Sequence, residues 1–445
     1  MANGVAGNSA DAYKDINGSA SSLGTGLWAA GDTVGLAYDF INNTMTIYKN
    51  GTLALSATSF NASSSGKWVL YVDAYRNDST DCGWEVNLGQ RPFKYTVPAG
   101  YKALNTYNYP RPADSSLWFY GDTPDLMWIK NRSTTGLHTL TDTVRGMGLN
   151  LVTSSTAAET SYPGVTEMNK FGMSIINDAT SIMNGSTNSH IYWGWKAGGA
   201  NTVTNNDGTI TSQVSANRSA GFSIVTWTGT GATSNIYVGH GLGATPSMVW
   251  IKKRNTTSNW YVGHYGYNND YNYAYHGYLN TTASWTGSND PYYMGTISGT
   301  TQLLLSMNAG DGSNVSGVNY IAYCWTAIPG YSAFGNYTGT SSTDGPFIYT
   351  GFRPKWVIVK PVSGSTDLPK GWQIFDSTRN SYNVMNGTLN TIGTYAEYVD
   401  IYFLMDFTSN GFKVRTGNYG EINGSGNGYI YAAFAEIPFK FARAR

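Results

Sequence analysis

One short stretch occurs three times along the chain and constrains its fold more than any other feature. It reads Pro-Asp-Leu-Met-Trp-Ile-Lys-Asn-Arg from Pro124 to Arg132, Pro-Ser-Met-Val-Trp-Ile-Lys-Lys-Arg from Pro246 to Arg254, and Pro-Lys-Trp-Val-Ile-Val-Lys-Pro from Pro354 to Pro361. Each copy starts at a proline, continues through large and β-branched apolar residues, and ends in a basic residue and a polar turn. This pattern is typical of a buried strand. We call these segments the signature strands.

The spacing of the signature strands indicates repeats of domain size. Trp128 and Trp250 are 122 residues apart, and Trp250 and Trp356 are 106 apart, which is too long for a solenoid repeat. An opening segment at 221–229 also aligns with 330–339, and a closing segment at 320–329 aligns with 429–438. The sequence therefore predicts three related modules, with the bounds 117–200, 220–330 and 331–445, and a linker at 201–219 between the first two.

Composition places the chain in the all-β class. Only 12% of residues are charged, whereas Gly (53) and Tyr (34) are abundant. Strands rich in Tyr and Thr and bounded by Gly and Asn turns favour β-structure, and no amphipathic helix longer than about two turns is evident. We expect a multidomain protein of serial antiparallel β-sandwiches. The 14 Trp and 16 Phe supply enough apolar surface to exclude a disordered chain.

Charge and hydropathy exclude several classes of function. The net charge is zero and the basic residues form no stripe, so we expect no nucleic-acid partner. No apolar run approaches the roughly 20 residues of a membrane span, and the first residues do not form a signal peptide. Cys82 and Cys324 are predicted to be buried free thiols.

The first 106 residues carry motifs of a known binding domain. Alternating runs flank Asn50-Gly51, which is a strong hairpin signal. Together with Gly-Asp-Thr-Val-Gly at 31–35 and Asn-Leu-Gly-Gln-Arg-Pro-Phe at 87–93, they resemble the C-terminal half of a SPRY domain. The resemblance implies a partial SPRY-like, lectin-like β-sandwich at 1–106, either cut from a longer polypeptide or completed by another subunit. A proline-containing linker follows at 107–116.

The repeated module also resembles a domain found in phage structural proteins. The matching residues are Trp-Ile-Lys-x-Arg at 128–132, Asp-x-x-Arg-Gly at 142–146, and the ending Trp-Lys-Ala-Gly-Gly at 195–199. The resemblance implies a tail fibre or a capsid-attached fibre or decoration on the virion surface, made in the host cytoplasm. Expected partners are other virion proteins, further copies of the chain (a trimer is favoured) and a host-surface glycan. Neither resemblance supplies a catalytic motif or a cofactor, so we expect a protein that is not an enzyme.

Two Asp-x-x-Arg pairs lie at equivalent places in the first and third modules. They are Asp142 with Arg145 and Asp376 with Arg379, and the second module has His264 at that place. We predict a structural ion pair at a strand end, because one copy lacks both residues. The signature tryptophans, Trp128, Trp250 and Trp356, are also predicted to be structural.

The second module diverges most from the others, in an aromatic and polar segment at 260–293. Its candidate binding residues are Trp260, Tyr261, His264, Tyr265, Tyr267, Tyr271, Tyr273, Tyr275, His276, Tyr278 and Trp285. Such residues stack on sugars and also dominate subunit interfaces. Three interpretations stay open: a glycan- or receptor-binding surface, a subunit interface, and a sandwich core with the tyrosine hydroxyls directed outward.

Two alternative functions stay open beside the virion role. A carbohydrate-active depolymerase with accessory β-modules needs two facing carboxylates, and no sequence spacing pairs the six Glu residues. A purely architectural capsid protein needs no ligand at all. The histidine spacings match no metal motif, so no metal site is predicted.

Overall fold

The computed structural model describes residues 4–7, 12–16, 19–24, 31–39, 42, 44–59, 87, 93–99, 101, 116–117, 123–162, 164–169, 172–175, 183–185, 188–234, 236–267, 269, 276–285, 297–305, 312–363 and 371–435. Within these ranges the protein consists of antiparallel sheets, and the only helical element is one turn of 3-10 helix, Tyr265–Tyr267. The predicted all-β class of serial sandwiches is therefore confirmed. No helix in these ranges has the length and apolar character that a membrane crossing requires.

The chain forms two compact units, 1–113 and 114–445. The first unit contains two three-stranded sheets, whose strands are β1 Gly4–Gly7, β2 Ala12–Ile16, β3 Ser19–Gly24, β4 Val34–Asp39, β5 Thr44–Lys49 and β6 Thr52–Ser59. The predicted hairpin is confirmed, because Asn50 and Gly51 connect β5 to β6 and both have positive φ. Cys82 and residues 88–92 of the SPRY-like motif at 87–93 lie outside the described residues.

The second unit contains three sets of strands that follow one another along the chain and are named after the predicted modules. The first has β7 Ser116–Leu117, β8 Leu126–Asn131, β9 His138–Asp142, β10 Leu149–Val152, β11 Thr160–Ser161, β12 Val165–Asn169, β13 Gly172–Ile175 and β14 His190–Trp195. The second has β15 Val203–Asn205, β16 Ser212–Asn217, β17 Phe222–Thr228, β18 Tyr237–Gly239, β19 Met248–Lys253, β20 Tyr261–His264, β21 Gly277–Tyr278, β22 Ile297–Ser298, β23 Gln302–Leu304 and β24 Asn319–Trp325. The third has β25 Ser332–Thr338, β26 Phe347–Tyr349, β27 Pro354–Pro361, β28 Gln373–Asp376, β29 Gly387–Asn390, β30 Tyr398–Val399, β31 Met405–Thr408, β32 Gly411–Val414 and β33 Gly428–Ala435.

Each module is a sandwich of a large sheet and a three-stranded sheet. The large sheets have the orders β11-β10-β9-β8-β14, β15-β16-β17-β24-β19-β20-β21 and β25-β33-β27-β28-β29-β30. The small sheets have the orders β12-β13-β7, β18-β23-β22 and β26-β32-β31. In every module the signature strand (β8, β19 or β27) pairs with the closing strand (β14, β24 or β33). The repeated sequence thus occupies the middle of each large sheet.

The signature strands are apolar throughout because both of their faces are buried. In β8, Met127 and Ile129 point into the core of their own sandwich, whereas Leu126 and Trp128 point to the other face of the sheet. The same alternation holds in β19 and β27. A strand that is covered on both sides needs a continuous apolar run, which is the pattern that the sequence repeats.

The second faces of the three large sheets meet in one shared aromatic core. Trp128 of the first module lies 5.5 Å from Trp250 of the second and 6.4 Å from Trp356 of the third, measured between ring centroids. Trp195 and Trp325 of the closing strands extend this core with edge-to-face contacts. The three modules therefore share one hydrophobic core and are not merely joined end to end.

The strand register refines the alignment of the third copy. Leu126 lies opposite Asp142, Met248 opposite His264, and Trp356 opposite Asp376. Trp356 therefore occupies the position of Leu126 and Met248, and Ile358 occupies that of the other two tryptophans. Positions two apart on a strand share a face, so the third indole still reaches the shared core.

The segment 201–219, predicted to be a linker, contains β15 and β16. This hairpin pairs with β17 and extends the large sheet of the second module. Val214 and Ser215 of β16 are buried, so the segment belongs to the sandwich.

Trp250→Ala tests whether the core is shared. Trp250 is fully buried, and removing its indole should lower the free energy of unfolding by about 3–5 kcal/mol. Because the cavity opens in the common core, pulse proteolysis should show increased cleavage in all three modules. The control Tyr349→Ala, at an exposed position, should change stability by about 0.5 kcal/mol or less. Cleavage confined to 220–330 in Trp250→Ala would contradict the shared core.

Candidate functional site

The predicted aromatic segment of the second module is mostly used for packing. Trp260, Tyr261, His264, His276 and Trp285 are buried. Tyr265, Tyr267 and Tyr278 are half-buried, and Tyr271, Tyr273 and Tyr275 lie outside the described residues. A buried ring cannot contact an external ligand in this conformation, so the described part of the segment has a structural role, which its contacts explain.

The Asp-x-x-Arg pair closes a turn in the first and third modules. Asp142 Oδ1 accepts hydrogen bonds from the backbone N–H groups of Val144 (3.0 Å) and Arg145 (2.8 Å), and its Oδ2 binds the Arg145 guanidinium. Asp376 makes the equivalent bonds to Thr378 and Arg379. Both guanidinium groups are buried, so each needs the carboxylate that it contacts.

A glutamate extends each of these pairs to a neighbouring module. Glu159 binds Arg145 of its own module at 3.1 Å and Arg254 of the second module at 2.9 Å. Glu397 binds Arg379 of the third module at 2.9 Å and Arg132 of the first at 2.6 Å. Arg132 and Arg254 are the last residues of the repeated Trp-Ile-Lys-x-Arg motif, so the motif supplies part of two inter-module ion-pair networks.

The second module replaces this charged network with an aromatic one. His264 takes the place of the aspartate, and its Nδ1 accepts the N–H of Gly266 at 2.9 Å, as the carboxylate does in the other copies. Tyr267, at the arginine position, stacks on Trp285 at 5.5 Å. Trp285 follows Gly277 by eight residues, as Glu159 follows Leu151 and Glu397 follows Leu389.

Val362 completes the exchange on the third module. It stands where the other signature strands end in arginine, and it packs with Tyr267 against the shared core. Four positions have therefore changed together from charged to apolar or aromatic. This exchange accounts for much of the sequence divergence at 260–293, because the junction of the second and third modules is built from stacked rings.

Two further sets of contacts repeat around the ring of modules. Trp260 Nε1 donates to Val152 O at 2.9 Å, and Trp372 Nε1 donates to Tyr278 O at 3.0 Å. At the equivalent position of the first module, the buried His138 lies beside the backbone of Asn390 in the third module. Each of these aromatic side chains reaches the preceding module, and His138 of the first module reaches the third. The three modules therefore form a closed circle.

The signature lysines make the second repeated set. Lys130 reaches Thr394 O (3.5 Å), Lys252 reaches Thr156 O (3.1 Å) and Lys360 reaches Thr281 O (3.2 Å). All three lysines are buried. Burial lowers the pKa of Lys130 and of Lys252 to about 8. The basic residue of the repeat is thus an inter-module hydrogen-bond donor.

An exposed tyrosine surface lies in the third module, outside the segment predicted to bind a ligand. The large hydrophobic side chains that are exposed between 382 and 402 are Tyr382, Val384, Tyr395, Tyr398, Val399, Ile401 and Tyr402. Tyr402 stacks on Tyr419 at 5.1 Å, and Phe403 joins Tyr419 to Tyr398. The signal was Tyr-Ala-Glu-Tyr-Val-Asp-Ile-Tyr at 395–402, which is denser in apolar residues than an ordinary loop.

Two carboxyl groups, one half-buried and one buried, lie close to these tyrosines. Asp400 Oδ1 accepts the N–H of Tyr402, and its carboxylate hydrogen-bonds the Tyr398 hydroxyl, which raises the pKa of that phenol. Glu421 is buried and accepts a hydrogen bond from Gln373. Burial raises the pKa of Glu421 to about 7. The pKa of Tyr419 is raised to about 12, mainly by burial and next by the nearby Glu421.

Metal and thiol chemistry have few candidates in the part of the chain that the structure describes. Within it, no group of three or more His, Cys, Asp or Glu side chains is placed to hold a metal ion. Cys324 is a buried free thiol, and burial raises its pKa to about 12.

Comparison with known families assigns most of the chain to one domain. A family model described as a domain of unknown function, DUF7483, matches residues 98–438. The chain belongs to the DUF7483 family. The matched region contains all three signature strands, so the family model treats the three modules as one domain. No curated protein and no solved structure matched the chain. The SPRY resemblance of 1–106 stays a prediction, because the DUF7483 region begins only at residue 98.

Glu159→Gln tests the charged junctions of the DUF7483 region. The change removes the negative charge between Arg145 and Arg254, and unfolding in urea should show a loss of about 1.5–3 kcal/mol. Glu397→Gln should give a similar loss at the other charged junction. The control Asp344→Asn, which breaks an exposed pair with Lys413, should leave stability nearly unchanged. A Glu159→Gln protein as stable as the wild type would contradict the assigned role.

His264 makes stability depend on pH in the acidic range. Burial lowers its pKa from 6.5 to about 3, although the nearby backbone of Tyr431 acts on the pKa in the opposite direction. As the pH falls below 6.5 the unfolded chain takes up the proton first, so stability falls with pH. From pH 7 to 5 this histidine alone should remove about 2 kcal/mol. His264→Asn keeps an acceptor for Gly266 and should show a shallower decline in urea unfolding over that range. Equal slopes for the two proteins would refute this assignment.

Proposed function

We propose that the protein is a non-enzymatic structural component of a phage virion. In this proposal it is a tail fibre, or a fibre or decoration attached to the capsid, and it serves assembly and contact with the host surface. The observation that carries the proposal is the ring of three sandwiches closed around one aromatic core. Such a body is held together by its own side chains and presents a fixed outer surface, which suits a particle exterior.

The use of buried charge supports a structural role. Asp142, Asp376, Glu159 and Glu397 are committed to turns and inter-module ion pairs. Perturbed or buried ionisable groups often mark active sites, but ion-pair networks perturb them too. Here all four carboxylates belong to the ion-pair networks of the two charged junctions, which favours a structural role over a catalytic one. The resemblance of the repeat to phage structural proteins points to the same role.

The exposed tyrosines support contact with a host-surface glycan. A tyrosine ring offers a flat apolar face to a sugar and a hydroxyl for hydrogen bonding. Tyr395, Tyr398 and Tyr402 are exposed. Tyr398 and Tyr402 contact Asp400, which can accept hydrogen bonds from sugar hydroxyls. This surface in the third module is a better candidate for glycan contact than the buried rings of the second.

A carbohydrate-active depolymerase is the second candidate, and Glu421 is the observation that favours it. A carboxyl group with a pKa of about 7 has the value expected of a general acid. Asp400, in the same tyrosine cluster, is the second carboxyl group. Hydrolysis would require both carboxyl groups to face one sugar.

Particle composition and adsorption test the proposal. Virions purified from infected cells should contain the protein by mass spectrometry, and purified full-length protein should reduce adsorption of the phage to its host. Light scattering should show an oligomer, with a trimer expected. Absence of the protein from particles would overturn the virion role. Hydrolysis of host polysaccharide by the wild type, lost in Glu421→Gln with the fold intact, would establish the enzyme instead.

A further inference from the structure

The tyrosine surface of the third module has the composition of a protein interface. Tyrosines alternate there with exposed aliphatic residues, among them Val399 and Ile401. Aliphatic side chains gain little from a sugar but much from burial against another protein. β30 is also the last strand of its sheet, so this surface lies at a sheet edge.

The surface carries a carboxylate beside its aromatic rings. Asp400 is half-buried and contacts Tyr398 and Tyr402. Glu421 lies two residues beyond Tyr419, the ring on which Tyr402 stacks, but it is buried and bound to Gln373. None of the groups that act on the Tyr398 and Tyr419 phenols is a lysine or an arginine. The nearby Glu397 is already bound by two arginines. Aromatic faces beside carboxylates attract cationic side chains.

The chain carries a segment of complementary chemistry. Residues 439–445 read Phe-Lys-Phe-Ala-Arg-Ala-Arg, with three cations, two aromatic rings and no acid. The chain as a whole has equal numbers of basic and acidic residues, so this concentration of positive charge is local. Its cations suit Asp400 and the faces of the exposed tyrosines, and its rings suit the exposed tyrosine and aliphatic side chains.

We propose that the tyrosine surface around Tyr398, Asp400 and Tyr402 binds residues 439–445 of a second copy of this chain. The contact is heterologous, because a segment of one copy meets a different surface of the next, and such contacts close into rings when the rotation permits. Cation–π contacts and charge pairing set the specificity, and burial of the aliphatic side chains adds area. The inference rests on the proposed role in assembly and supplies a contact through which copies associate.

Light scattering of the full-length chain tests the contact. Tyr398→Ala combined with Tyr402→Ala should shift the protein from oligomer to monomer at micromolar concentration, and Lys440→Gln with Arg443→Gln and Arg445→Gln should do the same. The control Tyr349→Ala removes an even more exposed tyrosine from the same module and should leave the mass unchanged. Circular dichroism and thermal unfolding of each variant should match the wild type, because all substituted tyrosines are exposed.

A peptide assay tests the recognition separately. A labelled peptide of sequence Phe-Lys-Phe-Ala-Arg-Ala-Arg should bind the triple-Gln protein in fluorescence anisotropy. When Tyr398→Ala and Tyr402→Ala are added to that protein, binding should weaken about tenfold, which is about 1.4 kcal/mol. Added salt should also weaken binding. A peptide with Gln at the three basic positions should bind much less.

The outcomes separate this inference from the proposed function. An oligomer whose mass neither variant changes would overturn the contact and leave the virion role standing. A wild-type chain that is monomeric in light scattering would also overturn the contact, because no second copy would then be bound. Equal binding of the basic and the Gln peptides would refute recognition by charge. Absence from virions would overturn the proposed function whatever the peptide result.

Discussion

The structure depends on the burial of tryptophan between sheets that belong to different repeats. A sandwich that covered only one face of its large sheet would leave the rings of Trp128, Trp250 or Trp356 in water. Each indole instead packs edge-to-face against indoles of other modules, which adds specific geometry to the area that it buries. The second faces of the three sheets can be covered only when all three are present. This requirement explains why one family model spans the three copies.

Once the core has brought the sheets together, the junctions between them allow alternative chemistry. Two junctions use a carboxylate, two arginines and a turn-capping aspartate, whereas the third uses His264, Tyr267, Trp285 and Val362. A buried ion pair is often worth little more than well-packed apolar residues of similar volume, although breaking it is costly. Exchange of the whole set is therefore tolerated where exchange of one member is not. Gly277 belongs to this exchange, because a side chain there would overlap the ring of Trp285.

Much of the fold could be predicted from the sequence, because the relevant information was local. The continuous apolar runs, the Asn50-Gly51 turn and the repeated opening and closing segments each describe a strand or hairpin on its own. The shared core could not be predicted, because a run buried against its own sandwich and a run buried also against a neighbour have the same pattern. The role of the aromatic segment at 260–293 was hidden for a similar reason: tyrosine and tryptophan suit binding surfaces and cores alike. The tyrosine surface at 382–402 was missed because exposure depends on tertiary packing, which composition does not encode.

The central claim is that the three modules form one cooperative unit, and native-state hydrogen exchange tests it most directly. The slowest amides of β8, β19 and β27 belong to three different modules but line the same core. With increasing denaturant their exchange should converge on one global unfolding isotherm, with the same free energy and the same slope. Three separate isotherms, each with its own free energy, would show that the modules unfold independently and would contradict the account.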